Sequence, residues 1–567
     1  MTDTRNVLWI MVDQLRWDYL SCYGHKTIDT PHLDGLAARG VRFNRSYIQS
    51  PFCGPSRMSS YTGRYCRSHG ATWNGFPLRV GEITLGDHLR PLGVTTALVG
   101  KTHMIPDLEG MARLGIDPNS EVGKRVAECG FDVFERDDGQ HPYGPVGGNS
   151  EYDAYLERLG YKGENPWEDW ANSAEGEEGE ILSGWLMKYA NLPARIPEEH
   201  SETPYMTGRA MQFMEAAGDN PWCCHLSYIK PHWPYIVPAP YHNMYGPDDV
   251  QPVIRSDAEK QTDHPVFRAY QNTRICQTMS HPSVRERVIP AYMGLIKQID
   301  DQMGRLFAFM EERKLFDNTM IVFTSDHGDY LGDHWMGEKD LFHDPSVRVP
   351  LIVYDPRKEA DAARGSVSED LVEAIDLAPT FLEFFGGEPK PHILEGRSLA
   401  PILHGQKTEW RDFAISEFDY STRYARQHLD VSQEDARLVM LCDKRWKYVY
   451  CEKFRPMLFD LENDPQELND LGGFPDYEHI RKMMEERLFT WSRQHHTRTT
   501  LAADRINKMA YSEPPGVHIG FWDEQQHDDY FGGSFADRPL GDPPVDERIQ
   551  REQASVDALY RRLGKQS

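Results

Sequence analysis

Asn6-Val7-Leu8-Trp9-Ile10-Met11-Val12-Asp13-Gln14 sets the pattern that decides the fold: a short, nearly unbroken apolar run that stops at residues able to hold a metal. A run of this length without polar alternation reads as a strand buried on both faces. The pattern recurs three times. Thr95–Val99 ends at Gly100-Lys101-Thr102-His103, Cys223–Ile229 at Lys230-Pro231-His232, and Thr319–Thr324 at Ser325-Asp326-His327-Gly328-Asp329. Helical spacing lies between and after these runs. Tyr292, Leu295, Ile296, Ile299, Met303, Leu306, Phe307 and Met310 recur every three or four residues, as do Leu371, Val372, Ile375, Ala378, Phe381 and Leu382. Pro31–Arg39 reads as a helix with Thr30 as its cap. Strands alternating with helices predict an α/β fold: a large mixed, mostly parallel sheet flanked by helices on both faces. Ligands bind such sheets beyond the carboxyl ends of the strands, where the four polar clusters fall.

Working outward, residues 1–410 are expected to form this catalytic domain. Periodicity is poor from about 104 to 202, with an acidic stretch from Glu164 to Glu180, which predicts an insertion over or beside the site mouth. Leu438–Cys442, Trp446–Cys451 and Met457–Asp460 read as short antiparallel strands of a smaller C-terminal α+β domain over 411–497. The polar tail 498–567 carries Pro514-Pro515, Phe521-Trp522 and Tyr530-Phe531 and is expected to wrap its own body or a neighbour, in a homo-oligomer. A formal charge of −26 repels nucleic acid and anionic membranes, so neither is expected as a partner. The N-terminus carries no signal-peptide pattern and no span-length apolar run, so the chain is expected to be cytoplasmic. The nine cysteines are scattered and read as buried thiols rather than a disulfide framework.

Cys53 is the exception. It opens Cys53-Gly54-Pro55-Ser56-Arg57, followed by Thr62-Gly63-Arg64. Here the sequence resembles the type I sulfatases of the alkaline phosphatase superfamily, whose signature is C-x-P-S-R. The other clusters occur in the family's order: Asp13-Gln14, Gly100-Lys101-Thr102-His103, Lys230-Pro231-His232-Trp233-Pro234, and Ser325-Asp326-His327-Gly328-Asp329 with Lys339 downstream. The resemblance extends through Asp376-Leu377-Ala378-Pro379-Thr380, Gly396-Arg397-Ser398-Leu399 and Leu458-Phe459-Asp460-Leu461-Glu462-Asn463-Asp464-Pro465, roughly residues 5 to 470. It implies that a formylglycine-generating enzyme oxidises Cys53 to formylglycine.

The residue types suit that chemistry. A hydrated aldehyde offers one hydroxyl to a metal, which makes it a nucleophile near neutral pH, and a second that later expels the bound ester. The residues after Cys53 should start a helix, whose free N–H groups suit an anion, and Arg57 one turn on can orient the diol or the metal carboxylates. Asp13, Asp326 and His327 supply oxygen and nitrogen donors for one divalent metal, with Cys53 in its modified form. Many sulfatases carry a second Asp where this chain has Gln14, whose amide oxygen can still bind the metal as a neutral and weaker ligand, and an Asn where it has His327. That departure leaves Ca²⁺ and Mn²⁺ as candidates, with Mg²⁺ behind them. Lys101, His103, Lys230, His232 and Lys339 form a positive wall. By resemblance, Lys101 and His103 contact the formylglycine, while Lys339 and His232 contact the ester oxygens or leaving group. His232 is the candidate general acid and Lys230 a candidate substrate ligand. Asn74 matches an asparagine that contacts substrate in the related phosphonate monoester hydrolases. Asp329, Asp333 and His334 are expected to hold the loop.

The resemblance implies hydrolysis of a small anionic sulfate ester. A phosphonate monoester or phosphodiester hydrolase would use the same residues, because both substrates are monoanionic tetrahedral esters. The Asp-Gln and Asp-His pairs resemble that branch, and Gly100-Lys101-Thr102-His103 resembles the sulfatases. A mutase of the superfamily would need Ser or Thr at position 53. A non-catalytic anion-binding protein would keep Cys53 as a thiol.

Overall fold

The computed structural model describes residues 5–139, 150–494, 496–509, 518–537 and 545–565. Strands β1 (Asn6–Asp13), β2 (Val41–Tyr47), β3 (Thr95–Gly100), β4 (Asp132–Arg136), β7 (Trp222–Pro231), β8 (Thr319–Ser325), β9 (Leu351–Tyr354) and β10 (Ser366–Glu373) form one sheet; the short β5 (Ser173–Glu175) and β6 (Ile181–Ser183) pair as a separate hairpin. The sheet order is β10-β2-β9-β8-β1-β7-β3-β4, and only β9 runs antiparallel to its neighbours. The expected mixed, mostly parallel sheet is therefore present.

Its central strands are apolar throughout because both faces are covered. Leu8, Ile10 and Val12 of β1 pack into one core with the helices Glu202–Ala217 and Pro282–Glu312, while Val7, Trp9 and Met11 pack into another with the helices Cys53–Thr62 and Leu377–Phe384. The strands read from the sequence, β8, β1, β7 and β3, are adjacent and parallel. Their carboxyl ends therefore line up, and Asp326, Asp13, Pro231-His232 and Lys101 leave the sheet along one edge.

Several expectations need correction. Thr30 does not cap the helix Pro31–Arg39 with its side chain; its hydroxyl is taken by Ser21, and Asp300 of the long helix accepts from the N–H groups of His32 and Leu33 at 3.1 and 3.0 Å. Leu371 and Val372 lie in β10, and the helix starts only at Leu377, because β10 ends in a turn where Asp376 accepts from the N–H of Glu373. The stretch 104–202 contributes β4 to the edge of the main sheet and also carries the separate β5–β6 hairpin.

The C-terminal sheet is antiparallel and has four strands: β11 (Ala414–Asp419), β12 (Arg437–Cys442), β13 (Trp446–Cys451) and β14 (Met457–Asp460). It shares a core with the region around Tyr47, Phe52 and Leu341, so it backs the site. Residues through His496 form one compact unit. Thr497–Ser567 form a second, with helices Ala503–Met509, Glu524–Phe531 and Val545–Leu563. Among the described residues, no helix is long and apolar enough to cross a membrane.

Candidate active site

Cys53 is the first residue of the helix Cys53–Thr62, every residue of which is buried. The preceding Phe52 is extended and offers no side-chain cap, so the first-turn N–H groups face the site. One is already used: the N–H of Gly54 donates to Asn74 Oδ1 at 2.7 Å. A Cβ at position 54 would sit 2.8 Å from that oxygen, which accounts for glycine there. Asn74 thus holds the start of the helix beside Cys53.

The Cys53 sulfur stands where the modified side chain would carry its oxygens. It lies 3.0 Å from His327 Nε2 and 3.1 Å from Lys339 Nζ, and the His103 side chain hydrogen-bonds to it. Burial pushes this thiol up, but Lys339, His327, Lys101 and the His103 hydrogen bond leave it well below its ordinary pKa. His103 takes a left-handed backbone (φ 55°), as do Gln14 (64°), Glu338 (58°) and Asp340 (109°). Such strain gathers where a rigid surround fixes functional side chains.

Donor atoms of Asp13, Cys53, Asp326 and His327 all lie within 4.8 Å of one another, fully buried. Asp13 Oδ1 has no hydrogen-bond partner and lies 3.6 Å from His327 Nε2. His327 donates its Nδ1–H to the Gly328 carbonyl at 2.8 Å, which leaves the Nε2 lone pair directed at the cluster. An unpartnered carboxylate oxygen and a tautomer-fixed imidazole converging in a dry site fit a divalent cation. The excess negative charge shows in the titration as well. Burial lowers the His327 pKa, yet Asp326 and the Cys53 sulfur raise it above the usual value.

Arg57 sets the carboxylates. Its guanidinium is fully buried and donates from Nε to Asp326 Oδ2 (2.8 Å), from Nη2 to Asp13 Oδ2 (3.1 Å), and from Nη1 to the Lys101 carbonyl (2.9 Å) and Ser227 Oγ (2.7 Å). Of the two roles open to Arg57 in the sequence, the structure shows the carboxylate one. Lys101 Nζ pairs with Asp13 Oδ2 at 2.6 Å. Burial and the Cys53 sulfur push the Asp13 carboxyl up; Lys101, His232 and Arg57 more than offset them and hold it far below the ordinary range.

Gln14 is fixed through its amide. Nε2 donates to Asp329 Oδ2 (2.6 Å) and Tyr235 OH (3.1 Å), which turns Oε1 toward Lys339 Nζ at 3.2 Å. Asp329 also accepts from the Leu331 N–H, so it holds both the loop and Gln14. Asp333 accepts from Arg16, and His334 donates from Nδ1 to Glu259, in the same supporting role. Lys339 Nζ lies 3.4 Å from His232 Nε2 and 3.2 Å from His327 Nε2. His232 donates Nδ1–H to the Trp233 carbonyl at 2.8 Å, so its Nε2 is bare. Burial lowers its pKa to about 3, with Lys339 and Lys101 adding to the fall and Asp13 opposing it.

Lys230 is engaged by other partners in this structure. Its Nζ donates to Asn172 Oδ1 (2.8 Å) and the Pro234 carbonyl (2.9 Å), away from the Cys53 cluster. A buried ammonium needs acceptors, and these two carbonyl oxygens supply them. Burial still lowers it to about 8. Sequence reasoning missed Tyr235, Ser227 and Arg423. Arg423 stacks over Phe52 and Trp73 at 4.8 and 5.2 Å and pairs with Asp340, and nothing in its local sequence marks it.

Comparison with known proteins places this geometry. The family model "Sulfatase" matches residues 5–387, and "N-sulphoglucosamine sulphohydrolase, C-terminal" matches 332–494. The chain is similar to the multifunctional alkaline phosphatase superfamily protein PehA of Trinickia caryophylli, at 33% identity over 90% of this chain and 98% of that one. It is similar to an arylsulfatase of Clostridium perfringens at 27% identity, covering 85% of this chain and 94% of that one. Among solved structures, it matches the phosphonate monoester hydrolase of Agrobacterium radiobacter at 28% identity and a TM-score of 0.76, over 90% of this chain and 98% of that one. The fold, the buried Cys53 cluster and these matches agree: the chain is an enzyme of the sulfatase family, in the alkaline phosphatase superfamily.

Proposed function

We propose that the protein hydrolyses sulfate esters at Cys53, converted to formylglycine by a maturing enzyme, beside one divalent cation. The observation that carries this reading is the buried convergence of Asp13, Cys53, Asp326 and His327, with Asp13 Oδ1 left without a partner. Asp13, Asp326 and His327 would hold the cation, with residue 53 and Gln14 Oε1 beside it. A set of oxygens with one imidazole suits Mn²⁺ or Ca²⁺. Formylglycine at position 53 would supply the nucleophilic oxygen, and a cation held by these residues would lower its pKa and offset charge on the ester.

The chain's own residues do the rest. Arg57 and Lys101 hold the two carboxylates in register. Lys339 presents an ammonium between Cys53 and His232, where it can neutralise an ester oxygen. His103 orients residue 53. His232 receives a hydrogen bond from Lys339 at Nε2 in the resting site, so it delivers a proton to the leaving group only after a bound anion has raised its pKa.

A phosphonate monoester is the second reading, favoured by the structural likeness to the Agrobacterium enzyme and by Gln14 and His327 at the cation. Measuring kcat/KM for an aryl sulfate and a phenylphosphonate monoester of the same phenol separates the two. The sulfate should be the better substrate. A clear phosphonate preference would overturn the first reading in favour of the second.

A further inference from the structure

A cleft of about 1060 Å³ opens beside the catalytic cluster. Its inner wall includes Glu338 and Asp340, the chain neighbours of Lys339, and Trp233, whose ring lies 4.0 Å from that of His232. Arg423 also lines it and reaches back over Phe52, next to Cys53. The cleft therefore adjoins the residues assigned to the leaving group.

Its lining has three properties. Trp185, Trp233, Tyr270 and Tyr424 give it aromatic walls. Residues of its wall also carry buried polar atoms without partners: Tyr270 OH, on a residue only 1% exposed, with Trp233 Nε1 and Thr273 Oγ1. Buried donors are rarely left unmade without a ligand or water to meet them. Cations also gather on it, in a chain of net charge −26: Lys188, Arg274, Arg287 and Arg423 against Glu338 and Asp340. Asp340 is already paired with Arg423. Lys188, Arg274 and Arg287 have no carboxylate partner among the described residues.

We infer that this cleft receives the leaving group, and that the leaving group is an aromatic alcohol carrying a carboxylate of its own. The rings bind the arene, and the unpaired cations meet the distal charge. The inference rests on the ester-hydrolase reading and extends it to a substrate class.

The test compares the 4-carboxyphenyl ester with the 4-carboxamidophenyl ester, each as the sulfate and as the phenylphosphonate. Two or three partly exposed charge contacts should favour the carboxylate by roughly fivefold to tenfold in kcat/KM at low salt. The ratio should shrink as salt rises, and should collapse toward one in the Arg274→Gln/Arg287→Gln double variant. Equal kcat/KM for the two esters, or a preference that survives the double variant, overturns the inference. Turnover of none of the four esters overturns the hydrolase reading and the inference with it.

Discussion

Arg57→Met removes the fork that holds both metal carboxylates while keeping a linear side chain in its place. Asp13 Oδ2 retains Lys101 at 2.6 Å, and Asp326 Oδ1 retains the N–H groups of Gln14 and His327 at 3.1 and 3.0 Å. Asp326 Oδ2 loses its 2.8 Å donor in a site with no solvent access. Breaking a buried ion pair from one side costs about 3–5 kcal/mol. The lost bonds to the Lys101 carbonyl and Ser227 add about 1 kcal/mol each. Cation binding offsets part of this, so the deficit should be largest in chelator and smaller in saturating Mn²⁺. The assay is urea unfolding of wild type, Arg57→Met and Arg57→Lys under both conditions, with kcat/KM alongside. Arg57→Met should lose about 3–5 kcal/mol in chelator and about 100-fold in kcat/KM, since misplaced ligands misplace the nucleophile. Arg57→Lys keeps the charge without the fork and should fall between. The pH profile follows by linkage. Asp13 titrates below its unfolded value, so its contribution is present above the ordinary carboxylate range and is lost as pH falls through the depressed value. Arg57→Met weakens that depression, so acid inactivation should begin at a higher pH. A loss under about 1 kcal/mol in chelator, with near wild-type turnover, would refute the claim that Arg57 organises the site.

Three further outcomes are expected. His232→Ala should slow esters of poor leaving groups by about 100-fold or more and a nitrophenyl ester much less, giving a steeper dependence of log kcat/KM on leaving-group pKa; parallel lines would transfer leaving-group assistance to Lys339. Lys230→Met should leave kcat/KM for a small aryl ester within about threefold, because its ammonium bonds Asn172 and Pro234 instead of the cluster; a large drop in kcat would restore it to the site. Asp326→Ala should abolish metal content by elemental analysis and activity together while the circular dichroism of the chain is retained, and an active variant would remove Asp326 from the cation.

The strands legible in the sequence were those buried on both faces. β1, β3, β7 and β8 are continuous apolar runs because helices cover both sides of the sheet. β10 was not legible: it is the edge strand, Ser366, Val367 and Glu369 are exposed, and its buried apolar residues, Leu371 and Val372, fall at its end, where they mimic the start of the next helix. β9 is four residues long, too short to carry a period. At the site, the residue types and their order marked Cys53, Asp13, Asp326, His327 and Lys339, which the structure brings together. What they touch was not legible, because contacts such as Gln14 to Asp329 and Arg57 to Asp326 span about 300 positions. The partners of Lys230 were not legible for the same reason: one of them, Asn172, comes from the remote 104–202 segment.

The state of residue 53 tests the account most directly. Mass spectrometry of the tryptic peptide containing Cys53, taken from enzyme active on an aryl sulfate or phosphonate, should show the sulfur gone and an aldehyde that a hydrazide captures. Cys53→Ala should be inactive, since among the described residues no other nucleophile with a release route lies in the cluster. An intact thiol in protein of full activity would contradict the formylglycine mechanism.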